Sequence, residues 1–182
     1  MRLSPIHARF ISEKIAHELL NSQKVSFTQG DSPVISAAVK RINEEIELEK
    51  SVDTAVKKFM DDYEDDINLY QADRNQVFWL IKRRFAPDHA LILEKEERFN
   101  ALAHKILDDL YEDDLINYRV EENIVKNLIC KAILDFGRRM DQIEDKVHEK
   151  IRAFKRRITR GDAEYEILYE KFYHEELSRL GL

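Results

Sequence analysis

Residues 33–67 read PVISAAVKRINEEIELEKSVDTAVKKFMDDYEDDI. Ile35, Val39, Ile42 and Ile46 recur at steps of three and four, and Val52, Val56, Phe59, Tyr63 and Ile67 continue the series. That period places one apolar stripe on a helix, and its alternation is that of a helix–helix seam. Pro33, preceded by the capping residue types Asp31 and Ser32, suits a helix start. Unbroken, such a helix of about 35 residues spans roughly 50 Å. Glu49 interrupts the stripe, and Ser51 and Asp53 are cap formers. The stretch therefore bends near residues 50–53 or runs through.

The flanks follow the same pattern. Ile6, Phe10, Ile11, Ile15, Leu19 and Leu20 mark a helix over residues 6–20, opened by Ser4-Pro5. Ser22 to Ser32, polar and containing Gly30, reads as a connection from which Val25 and Phe27 can still pack. A third helix, about Ala72 to Ala86, is expected to bury Val77, Phe78, Leu80, Ile81 and Phe85 and to stop at Pro87.

The order then recurs. Phe99, Leu102, Ile106, Leu107 and Leu110 give a helix over residues 95–111, followed by a polar link, Glu112 to Glu122. A second long helix carries Val125, Ile129, Ala132, Phe136, Met140, Ile143, Val147, Ile151, Phe154 and Ile158, with Gly137 inside it. Arg160-Gly161-Asp162 ends that helix and caps a last one bearing Tyr165, Leu168, Tyr169, Phe172 and Leu177. The halves overlay with a shift of 87 at Ile15–Leu20 on Leu102–Leu107 and of 91 at Val52–Val56 on Ile143–Val147. An insertion of about four residues in the second link would explain the change. The expected fold is all-α: two tandem three-helix repeats, short–long–short, over residues 1–93 and 94–182, forming an elongated helical bundle.

Composition agrees with helices. Four glycines and three prolines are too few for many turns, and 36% of the residues are charged. Thirty Lys and Arg against 36 Asp and Glu leave a net charge of −6, which gives no global attraction to nucleic acid or an anionic membrane. No apolar run reaches the length of a membrane span, and the opening residues lack a secretory signal, so a cytoplasmic protein with no membrane partner is expected. The single cysteine, Cys130, borders an apolar stripe and reads as a small buried residue.

Candidate chemistry is sparse. Glu13 with His17, Glu144 with His148, and Glu170 with His174 are spaced four apart, not the three of a di-iron bundle motif, and read as solvated pairs. His17 and His104 fall at matching places under the shift of 87. The acidic run Asp61 to Asp66 lacks the alternation and glycine of a calcium loop. No cofactor or metal is expected.

Two basic runs stand out, Lys82-Arg83-Arg84 and the stretch containing Lys150, Lys155, Arg156, Arg157 and Arg160. Both lie near expected helix C-termini, where cations complement the helix dipole; a phosphate-binding stripe is the other reading. Tyr173 falls off the main stripe of its helix and is a candidate interface residue. Glycine-rich phosphate loops and nucleophile elbows are absent from the sequence.

Three stretches together carry a family resemblance: the opening Met1-Arg2-Leu3-Ser4, the run Ile81-Lys82-Arg83-Arg84-Phe85-Ala86, and the ending. The ending runs from Lys155-Arg156-Arg157-Ile158 through Gly161 and Glu166-Ile167-Leu168-Tyr169-Glu170-Lys171-Phe172-Tyr173 to Glu175-Glu176-Leu177. The whole chain resembles a family of bacterial proteins known as domain of unknown function 507. It departs from the family pattern at Asp162-Ala163-Glu164-Tyr165, where a serine, a proline, a glutamate and a tryptophan are expected. The resemblance implies an all-helical bacterial protein and no activity. The functional expectation is accordingly a non-enzymatic interaction or scaffold protein that binds a protein partner or itself. A nucleic-acid-associated protein using the basic runs is the alternative.

Overall fold

The structure is a computed structural model that describes residues 3–154 and 162–179. Among these residues the order is α1 (Pro5–Asn21), β1 (Val25–Phe27), α2 (Asp31–Asp62), α3 (Glu64–Leu69), α4 (Arg74–Phe85), a 3-10 turn (Pro87–His89), α5 (Lys95–Glu112), β2 (Ile116–Tyr118), α6 (Glu122–Arg152) and α7 (Ala163–Arg179). The all-α class is as expected, with one two-stranded ribbon added.

α2 runs through residues 50–53 without a break and ends at Asp62, short of Tyr63 and Ile67, which fall outside it. Its 32 residues span about 48 Å. The buried line begins at Val34 and Ala38, with Ile35 and Val39 only half-buried. It continues through Ile42, Ile46, Val52, Val56 and Met60. Gly30 precedes the helix at φ +84°, in the left-handed region where a Cβ is strained. Asp73 caps α4 by accepting a hydrogen bond from the Gln76 amide.

Two compact units divide within α6, between Ile133 and Leu134. The first holds α1 to β2 and the start of α6. Its fully buried residues include Ile11, Ile15 and Leu19 of α1, Ile42 of α2, Leu102, Ile106 and Leu110 of α5, and Ile129 of α6. A separate cluster gathers Val52, Val56, Met60, Ile67, Ala86 and Leu91, with Val77, Phe78, Ile81 and Phe85 of α4 packed on it. In the other unit Met140, Ile143, Val147 and Ile151 of α6 are buried, as are Tyr165 and Leu177 of α7. Compactness thus divides the chain elsewhere than the expected repeat boundary near residue 93.

Local geometry recurs at a constant interval. α1 and α5 end at Asn21 and Glu112, and α2 and α6 begin at Asp31 and Glu122, both pairs 91 residues apart. The left-handed residues Gln23 and Asp114 keep the same interval. So do the terminal hydrogen bonds Ser22 N–H to Glu18 O and Asp113 N–H to Asp109 O. This interval and the 87 read from the first helices differ by one helical turn, and four residues restore nearly the same face, so apolar phase alone does not separate the two. At an interval of 91 from His17 stands Asp108, and at 87 stands His104.

β1 and β2 pair antiparallel, with Val25 facing Tyr118, Ser26 facing Asn117 and Phe27 facing Ile116. Ser26 and Asn117, the central pair of the ribbon, are themselves 91 apart. Val25 and Ile116, and likewise Phe27 and Tyr118, are also 91 apart.

Candidate functional site

Three carboxylates on α2, Glu45, Glu49 and Asp53, follow one another at one per turn and are all buried. Burying three charges on one stripe is costly unless each is paired. α4 and α5 supply the partners. Arg98 donates from Nε to Glu45 Oε1 and from Nη1 to Glu49 Oε2, both at 2.8 Å. The Lys82 ammonium bridges Glu49 Oε1 at 2.9 Å and Asp53 Oδ1 at 2.7 Å. Lys105 Nζ reaches Glu45 Oε2 at 3.7 Å. The charges therefore alternate along the seam, Lys105–Glu45–Arg98–Glu49–Lys82–Asp53. Burial alone would raise the Glu49 carboxyl pKa, but Arg98 and Lys82 outweigh it and hold the group below its usual value. The sequence showed Glu49 as a flaw in the stripe; the signal missed was that Glu45 and Asp53 lie one turn to either side.

This seam corrects one expected contact residue. Lys82 is 2% exposed and its ammonium is engaged by carboxylates, so it is not available to a partner or a phosphate. Arg83 and Arg84 remain exposed in the last turn of α4. The ammonium also lies 5.2 Å from the Trp79 ring centroid and 6.0 Å from that of Phe78. Such cation–π contacts hold the indole in place from beneath.

The outer face of α4 carries the second correction. Leu80, expected in the core, is 70% exposed, and Trp79 is 52% exposed. α4 is seated by Phe78, Ile81, Lys82 and Phe85, and that orientation turns residues 79 and 80 outward. A shallow groove of about 370 Å3 is lined by Asn75, Gln76, Trp79, Leu80 and Arg83. Leu69 and Tyr70, at the end of α3, are exposed as well. At the end of α2, Phe59 stacks on Tyr63 at 4.7 Å and meets Phe85 edge-on at 5.6 Å.

The remaining expected contacts belong to the other unit. Lys150 pairs with Glu176 Oε1 at 2.7 Å and Glu175 Oε2 at 3.6 Å, and lies over the Phe172 ring. Tyr173 is half-buried, not exposed, with its hydroxyl 3.9 Å from Met140 Sδ. Burial and the Glu144 charge raise its pKa. Lys155, Arg156, Arg157 and Arg160 lie outside the described residues. Cys130 is half-buried, and burial pushes its thiol pKa up, away from thiolate chemistry. Of the histidine pairs, His148 faces the Tyr165 hydroxyl at 2.7 Å and Glu13 pairs with Arg9. No helix is long and apolar enough to cross a membrane among the described residues.

No curated protein matches the chain. The pattern of one family, described as protein of unknown function (DUF507), matches residues 1–182, and the chain belongs to that family.

Proposed function

We propose that the protein is a non-enzymatic helical interaction protein that docks a protein partner on the outer face of α4. The observation that carries this reading is the pair Trp79 and Leu80, held outward on a helix whose inner face is locked by the charged seam. Exposed tryptophan beside a groove is costly to leave in water and is enriched at binding hot spots. A partner segment with apolar side chains for the groove and carboxylates for Arg83 and Arg84 fits this face. Nucleic acid fits less well. Lys82 is internal, and apart from Arg83 the groove is lined by amide and apolar side chains.

The chain also reads as a fused duplication with an interval of 91. Helix ends, left-handed residues and strand register support this. So do side-chain pairs. Phe59–Phe85 in one half corresponds to Lys150–Glu176 in the other, and Glu49–Lys82 corresponds to Met140–Tyr173. Each pair keeps its place while its chemistry changes.

The test is a nuclease-treated pull-down from the organism of origin with wild type and Trp79→Ser/Leu80→Ser. A protein retained by wild type and lost by a variant of unchanged circular dichroism and melting supports docking on α4. Equal capture by both moves the site elsewhere. Capture lost on nuclease favours nucleic acid.

A further inference from the structure

Among the described residues, one imidazole converges with a carboxylate one turn along its own helix and with another from the next helix. His104 and Asp108 lie one turn apart on α5, and Glu122 opens α6. His104 Nδ1 stands 3.6 Å from Asp108 Oδ1 and 3.9 Å from Glu122 Oε1. All three donor atoms lie within 4.8 Å of one another. The nine-residue link between α5 and α6 is pinned by β2, whose pairing with β1 fixes where α6 starts. The convergence is therefore set by the fold and not by one helix.

We propose that His104, Asp108 and Glu122 form a three-ligand site for a divalent transition metal of the zinc type. Zinc bonds of about 2.0–2.2 Å to nitrogen and oxygen put tetrahedral ligand atoms roughly 3.3–3.6 Å apart, so the observed spacings need only small side-chain rotations. The imidazole selects this class of ion, since calcium and magnesium prefer oxygen alone. A cation also suits the local field. Burial raises the Tyr118 pKa, and the charges of Glu122 and Asp108 push it up further. All three side chains are open to solvent, which gives the ion an entry path and leaves a fourth position for water.

The same donor types recur 91 residues earlier. Glu13 and His17 on α1 and Asp31 at the start of α2 hold the corresponding places, with imidazole and carboxylate exchanged along the first helix. There Glu13 is engaged by Arg9, and His17 contacts Asn21. That triad makes His17→Ala the matched control.

The experiment is zinc titration of the chelator-treated full chain by calorimetry, with the His104 imidazole resonances followed by NMR. One saturable site is expected, weakened about 100-fold or more in His104→Ala, a loss at least as large as those from disturbing outer-shell partners. Glu122→Gln should weaken it in the same direction, and His17→Ala should leave it intact. Shifts of the wild-type His104 resonances on adding zinc test the assignment without any variant. Non-saturating uptake, unshifted His104 resonances, or equal affinity in His104→Ala would overturn the site.

Discussion

Lys82 holds two buried carboxylates, Glu49 and Asp53, and its own burial is nearly complete. Replacing it by Met leaves those charges short of a partner, and breaking a buried pair costs about 3–5 kcal/mol. On the proposed duplication the corresponding pair is Met140 and Tyr173, which is uncharged. Lys82→Tyr with Glu49→Met is therefore expected to recover part of the loss. Urea unfolding of Lys82→Tyr, Glu49→Met and the double variant checks this; a double variant as unstable as the summed singles would count against it. The pH dependence has two origins with the same sign. Burial keeps the His7 pKa below the usual 6.5, so the unfolded chain takes up the proton first and stability falls as pH drops below about 6.5. Glu49 is held below the usual 4.5, so its contribution is present above that value and is lost as pH falls through the lower, folded one. Unfolding free energies across pH 4–8 should show the first decline, reduced in His7→Gln.

At the scale of the element, helices with a single narrow stripe were legible and their rotations less so. α1 and α5 fall where the period placed them, and α2 is a helix as read. α4 was harder because Val77, Phe78, Leu80 and Ile81 cover more than one face with Trp79 among them. Periodicity does not say which of these is outside; the ion pair of Lys82 with α2 does. The charged seam was hidden for a related reason, since carboxylates one turn apart on a helix ordinarily mark the solvated side. The ribbon escaped notice because three-residue strands are too short to alternate. Its register is open to test. Residues facing each other across an antiparallel pair have Cα atoms about 4.5–5.5 Å apart, within reach of a disulfide. Ser26→Cys/Asn117→Cys in a Cys130→Ser background should cross-link within one chain on mild oxidation, read as a mobility shift reversed by reductant. Failure to cross-link while Val25→Cys/Asn117→Cys succeeds would shift the register.

For the whole molecule, family membership supplies a class of chain and no activity, so function rests on what the folded surface offers. The proposed duplication would account for strand pairing centred on residues 91 apart. On that proposal the halves diverge in chemistry: 91 residues beyond Glu45, Glu49 and Lys82 stand Phe136, Met140 and Tyr173, while Asp53 keeps a carboxylate, Glu144, and the residues 91 beyond Trp79 and Leu80 are Glu170 and Lys171. On the proposed docking reading the apolar outer face would then belong to one half only, a single site and not a symmetric pair. The most direct test is a photo-crosslinking residue placed at position 80 in the native host, with a second probe at the exposed position 171. The docking account predicts a discrete, nuclease-resistant adduct to one protein from position 80 and none from position 171. No adduct at position 80, or the same adduct from both positions, would contradict it.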